Sequence, residues 1–371
     1  MGGNLEARGD GSSKVSERGP GSESAGAGPA ARRSSTFWRA SGAAFRLLVL
    51  GLVVHLLLPQ ITALEHSLEV LRSLAWWAVL LAILAQWLSY AGNGYVIQML
   101  VALFGQRLPL TRCVEIVMAS FSLALIWGGQ VTYTGSAFRW LRAAGVSGEA
   151  ALLTGILPAF INILTIGAVS MFGLLYLLAG HRLSPALATV FALALALLVS
   201  VSVVIWLGMR YRSWLVTLIN DLGRFWAKLR RRPYDSRSVD ETSERLFSAW
   251  DLMLGGRWRG PVLGDVLNVG FDILTLYLLF FAAHYTASPG LVLAGYGLPL
   301  LAGKLSVLPG GLGIVEGGMV ALYEALGVPS GVAVVVILSY RLISFWIPVL
   351  LGFPMAVLLD RQRWSMGAPG G

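Results

Sequence analysis

A carboxylate, a guanidinium, an ammonium and three closely spaced glycines interrupt one of the most apolar stretches of this 371-residue chain. The core of the group is Leu308-Pro309-Gly310-Gly311-Leu312-Gly313-Ile314-Val315-Glu316, with Lys304 before it and Arg341 beyond it. Pro309 has no N–H and frees a backbone carbonyl, while Gly310, Gly311 and Gly313 can take positive φ and admit a close neighbour. A helix starting near Gly313 points its positive dipole end at the break, which suits an anionic headgroup. Glu316 can meet a cationic group or balance Arg341. Arg341 lies about ten residues into an apolar run, where a charge costs at least about 2.5–3.5 kcal/mol on insertion scales. It therefore needs a partner, and Glu316 and Asp272 are the candidates. The plainer reading of the same residues is a structural kink locked by an ion pair.

Other polar residues recur inside apolar runs. Asp265, Asn268 and Asp272 share one helix face by their spacing. Asn162 with Thr165, and Gln86 with Asn93, can extend a polar lining or serve as interhelical hydrogen-bonding glue. Arg139 and Arg142 follow a second glycine-rich break, Trp127-Gly128-Gly129-Gln130 and Thr134-Gly135, and a guanidinium fork is well shaped to grip phosphate. No other chemistry is suggested. The single Cys113 excludes an internal disulfide framework and a multi-cysteine metal site, and the four histidines (His55, His66, His181, His284) lack metal-ligand spacing. The glycine motif is not a dinucleotide fingerprint, because no strand precedes it. No catalytic residue, metal or cofactor is assigned.

The elements that must hold these residues are membrane helices. Charged residues are 13% and hydrophobic residues 56% of the chain, with mean hydropathy +0.71. Soluble domains carry about 25% charged residues. The sequence predicts an all-α polytopic membrane protein of about six to eight transmembrane helices, each span needing about 20 residues. Full spans are expected near 43–60, 74–97, 150–179, 186–208, 261–284 and 331–353. The stretches 113–148 and 290–327 are broken by glycine and read as re-entrant hairpins; full crossing of both is the alternative.

Residues 1–40 form a Gly/Ser/Arg-rich tail expected to be disordered. An integral membrane domain follows over 41–360, its halves at about 41–180 and 186–355. The basic loop 209–260 divides them, with eleven Arg/Lys against six acids, and 361–371 is a short tail. Within the loop, Trp214, Leu218, Leu222, Phe225 and Leu229 make an apolar stripe beside basic residues, as in a helix lying on an anionic leaflet. Nucleic acid is not the expected partner of this charge. The positive-inside rule puts the loop and both termini in the cytoplasm, and the expected location is the plasma membrane. Under that topology one hairpin enters from each side. The halves then form an inverted repeat, supported by the resemblance of 138–150 to 319–333.

The stretch from Lys304 to Gly352, with Pro309-Gly310-Gly311-Leu312-Gly313, Glu316, Gly327-Val328-Pro329, Tyr340-Arg341-Leu342 and Pro348, resembles the second half of the lysylphosphatidylglycerol synthase transmembrane (flippase-like) family. That family includes the membrane portion of the multiple peptide resistance factor. Thr134-Gly135-Ser136-Ala137-Phe138-Arg139 and Gly145-Val146-Ser147 are similar to its first-half motif, and the resemblance covers about 43–355. It implies a protein that moves phospholipids, including aminoacylated phosphatidylglycerol, between leaflets, while some relatives serve glycolipid or envelope pathways. Two departures bear on this. The chain ends at Gly371 and is expected to lack the soluble lysyl-transferring domain. Pro158-Ala159-Phe160 also stands where many relatives carry an acidic-basic pair. The expected function is lipid translocation, with Pro309, Gly310, Gly311, Gly313, Glu316, Arg341, Lys304, Asp272, Arg139, Gly135 and Ser136 at the substrate. A separate lipid-modifying enzyme is the anticipated partner. The alternative is a membrane-embedded transferase or its accessory subunit.

Overall fold

In the computed structural model the described residues are Val70, 72–127, 129–179, 210–229, 253–305 and 309–366, with scattered positions between 189 and 251. Among them there is no strand. Helix α1 (Trp76–Leu103) is followed by a shorter pair, α2 (Leu110–Trp127) and α3 (Gly129–Ala143), and a long α4 (Gly148–Ala179). The basic segment contains α5 (Arg212–Leu229). The series then recurs as α6 (Arg259–Ala282), a pair α7 (Pro289–Leu305) and α8 (Ile314–Ala325), and α9 (Ser330–Arg341), which continues through a π-helical turn (Leu342–Trp346) into α10 (Ile347–Met366).

Among the described residues four helices are long and apolar enough to cross a bilayer: Trp76–Leu103, Gly148–Ala179, Arg259–Ala282 and Ser330–Arg361. They coincide with four of the expected spans. The expected span 43–60 and the tail 1–40 lie outside the described residues, and 186–208 is described only at scattered positions. The last helix runs on to Met366, into the segment read as a tail. Helix α8, with 12 residues, is about 18 Å long and cannot cross a core of about 30 Å. It returns antiparallel along α7: Gly303 lies against Val315, Pro299 against Gly318 and Gly295 against Tyr323. The second hairpin is therefore re-entrant.

The two series repeat in detail. Helices α3 and α8 end in the same hydrogen-bonded cap, with Gly145 N donating to Arg142 O and Val146 N to Leu141 O, and Gly327 N to Glu324 O and Val328 N to Tyr323 O. Both glycines have positive φ (85° and 91°) and both valines are buried, as this helix end requires. Helices α1 and α6 end on Gly105 (φ 71°) and His284 (φ 55°), the latter in a backbone region that side chains rarely adopt.

Contacts establish that the repeat is inverted. Equivalent helices α1 and α6 run antiparallel: Ala75 N donates to Ala282 O (2.9 Å), Thr275 Oγ1 to Ala82 O (3.3 Å), Ser89 Oγ to Asn268 O (2.8 Å) and Arg257 Nη1 to Leu103 O (3.0 Å). Ser89 and Asn268 lie equally far upstream of Gly105 and His284, so the crossing falls on the axis of the repeat. Glycine permits this approach: a Cβ on Gly92 would meet Asn268 N at 2.6 Å, and one on Gly264 would meet Val96 N at 2.9 Å.

The halves also exchange partners. Helix α7 lies along α4, with Gly290 at Tyr176, Gly173 at Ala294 and Gly297 at Ser170. Helix α2 lies along α10, with Ser122 Oγ donating to Val349 O (2.8 Å) and Gly352 against Met118.

One end of this bundle is basic. The C-terminus of α1, the turn between α3 and α4, and the start of α6 bring Arg107, Arg142, Arg257 and Arg259 to it, where Ser147 N donates to Gln106 (3.0 Å) and Trp140 to Asp360 (2.9 Å). The opposite end joins Ala75 to Ala282 and Ser73 to His284. It carries few charges among the described residues, Arg72 and Glu324 being two of them.

Candidate functional site

The second break is a closed knot. Gly310, Gly311 and Gly313 all have positive φ (66°, 65° and 80°), turning the chain from α7 into α8. Glu316 Oε2 accepts the Gly313 N–H at 2.7 Å, so the N-terminus of α8 is capped by its own first-turn carboxylate. Glu316 Oε1 accepts from Arg341 Nε at 2.7 Å, and Arg341 Nη2 donates to the Gly310 carbonyl at 3.1 Å. The guanidinium stacks over Phe345 at 4.2 Å. Both charged residues are buried, at 3% and 5% exposure. Of the two partners the sequence left open for Arg341, the structure selects Glu316.

The glycines of the break admit protein. A Cβ on Gly311 would sit 2.7 Å from Gly303 Cα, and one on Gly310 would enter the Phe345 ring. Leu125 at the end of α2 joins Leu312, Phe345 and Val349 in one buried cluster. The two hairpin tips thus meet through an apolar seal.

Polar groups gather instead along α6. Asp272 Oδ2 accepts the hydroxyls of Tyr296 (2.6 Å) and Tyr340 (2.8 Å). Asp265, 3% exposed, accepts Asn162 Nδ2 on Oδ1 at 2.9 Å, and its Oδ2 has no hydrogen-bond partner. Lys304, in the last turn of α7, is exposed and lies on the helix that supplies Tyr296 to Asp272. Gln86 on α1 is buried beside Asp272 with its own oxygen unpartnered. Tyr296 and Tyr340 were not foreseen. A tyrosine in mid-span must find an acceptor for its hydroxyl, and that was the available signal.

The first-half residues are placed elsewhere. Gly135 is exposed, with open space where a Cβ would lie, and Ser136 Oγ turns back to Thr132 O at 2.7 Å. Arg139 pairs with Asp360 at 3.3 Å, and Arg142 donates to Val146 O at 2.9 Å. The structure therefore unites Gly310, Gly313, Glu316 and Arg341, and sets Lys304 on the helix that supplies Tyr296 to Asp272, while Arg139, Gly135 and Ser136 stay on the first hairpin. Pro309 opens the turn at the second break. Helix α5 leaves Trp214 and Leu218 of its apolar stripe exposed. Among the described residues no cluster of His, Cys, Asp and Glu could hold a metal.

Two comparisons bear on this architecture. A UPF0104 membrane protein of Methanocaldococcus jannaschii is 28% identical over 151 residues, which are 40% of this chain and 45% of that protein. The match therefore spans under half of the relative's length. The description of the lysylphosphatidylglycerol synthase TM region matches residues 43–352, both hairpins and the divide between them included. The chain is a membrane protein that belongs to the lysylphosphatidylglycerol synthase transmembrane-region family.

Proposed function

We propose that this protein is a lipid translocase, moving a phospholipid or lipid-linked envelope precursor between leaflets; aminoacylated phosphatidylglycerol is one such cargo. The observation that carries the reading is the buried polar cluster of Asp272, Tyr296, Tyr340 and Asp265 between the inverted halves, with the exposed Lys304 on the same helix as Tyr296. Inverted repeats with broken helices are a transporter architecture in which each hairpin opens toward one side. Lys304 is assigned the phosphate, and Asp272, held by its two tyrosines, the cationic part of a headgroup. The Glu316–Arg341 knot fixes the break that ends α7. The basic end is assigned to the cytoplasm of the plasma membrane, with α5 on anionic lipid.

The test is reconstitution in liposomes without any donor substrate. Protein should speed redistribution of labelled anionic and aminoacylated phospholipid, and Lys304→Met should return the rate to that of empty vesicles while the variant stays monodisperse. Wild-type rates equal to those of empty vesicles would remove the reading. Chemical modification of the lipid on adding a donor would favour the membrane-embedded transferase.

A further inference from the structure

Two carboxylates lie along α6 in the polar cluster, with Lys304 on the neighbouring α7, and the two carboxylates are not equivalently held. Asp272 Oδ2 receives two hydroxyl donors, at 2.6 and 2.8 Å, and Gln86 lies within reach of the same carboxylate. Such donors offset part of the cost of burying a carboxylate's charge. Asp265 is 3% exposed and has one amide donor, Asn162, on one oxygen. Its other oxygen has none. Thr165 and Asn268 also approach the group: Thr165 spends its proton on Ile161 O (3.1 Å), and Asn268, whose oxygen accepts from Ser89 (2.9 Å), makes no hydrogen bond to the second oxygen.

An unpartnered carboxylate oxygen buried between helices is a costly feature, and intramembrane carboxylates mark proton relays. The charged groups around it are few. Helix α7 supplies Lys304 and Tyr296, α9 supplies Tyr340 and Arg341, and α6 itself supplies Asp272; α1 brings Tyr95 against Gly264, next to Asp265. Arg341 is already bound to Glu316. The free balance is thus two carboxylates against Lys304, a single excess negative charge that one proton cancels.

We propose that Asp265 is a proton-exchanging site coupled to lipid movement through Lys304, an inference that rests on the translocase reading for its coupling but not for the proton itself. With Asp265 ionised, Lys304 is held as its counter-charge. When water delivers a proton to the unpartnered oxygen, Lys304 is released to take the phosphate of a headgroup, and the proton returns to water when the lipid leaves. No bond other than the O–H is made or broken.

The decisive measurement is an infrared pH titration of the purified full chain in nanodiscs. A protonated-carboxyl band should grow on acidification, disappear in Asp265→Asn, and persist in Asp272→Asn and in Asp265→Glu. A band unchanged in Asp265→Asn overturns the site, whatever the transport result. In liposomes, a pH difference of one unit should shift the leaflet ratio of the labelled lipid by up to about tenfold for one proton per lipid. Asp265→Asn should abolish that response and Asp265→Glu restore it. Lipid movement indifferent to the gradient removes the coupling and leaves the translocase standing. No lipid movement at all removes the translocase, and the infrared band then still decides the proton site.

Discussion

The two hairpins share a scaffold and differ in what fills it. Gly145 and Gly327 close the same cap with hydrogen bonds within 0.2 Å of each other in length. Upstream, the first break is lightly tied: Thr134 Oγ1 donates to Gly155 O at 2.9 Å, and Gly129 and Gly135 face open space. The second is bound by a buried ion pair, a carboxylate cap and glycines in contact with backbone and ring. Counting from the shared caps, Thr134 stands where the second half has Glu316, and Pro158-Ala159 where it has Tyr340-Arg341. The first half thus has neither member of the buried ion pair that locks the second. At their breaks, then, the second hairpin is the more tightly bound of the two.

The largest test of that contrast is loss of the lock. Arg341→Ala leaves Glu316 buried and unpaired, which costs about 3–5 kcal/mol, whereas Thr134→Ala at the matching position costs about 1 kcal/mol. Thermal unfolding in detergent should show Arg341→Ala far below wild type and Thr134→Ala close to it; equal losses would erase the distinction.

Next come the glycines. Gly311→Ala must carry a side chain at φ 65° and meet Gly303 Cα at 2.7 Å, so a loss of about 2–4 kcal/mol is expected from strain and overpacking together. Gly135→Ala, helical and unobstructed, should instead gain about 0.5–1 kcal/mol. Opposite signs in the two melting shifts sharpen the contrast, and a common sign breaks it.

The smallest effect probes what is shared. Gly145→Ala and Gly327→Ala should each lose about 1–2 kcal/mol, and by the same amount, because both positions pay the left-handed penalty with no neighbour to clash. Unequal losses would mean that the repeat is only topological.

Much of the frame was legible in the sequence. Spans follow from apolar length, re-entrance from glycine breaks, and the repeat from the recurring Gly-Val turn, since Gly145-Val146 and Gly327-Val328 carry their backbone requirement in their identity. The Glu316–Arg341 pair was foreseen as one of two options because a mid-span guanidinium cannot stay alone. Less was visible where partners come from distant helices. Nothing near Arg139 announces Asp360, 221 positions on, which binds it at 3.3 Å. Nor does Gly311 announce that its space is taken by Gly303: positive φ is a property of the residue, but what fills the gap belongs to the packing. The antiparallel meeting of Ser89 and Asn268 is likewise a result of symmetry, which single-chain periodicity does not express.

The π-helical turn after Arg341 acts as a rotational offset. An α-helix advances about 100° per residue, so a wider turn re-aims every side chain beyond it. Before it, Tyr340 and Arg341 address Asp272 and Glu316; after it, Val349 and Gly352 address Ser122 and Met118. Pro348 has no N–H to give back to the Ser344 carbonyl, and Tyr90 Oη takes that place at 3.0 Å. The last span is therefore two keys cut on one shank at different angles.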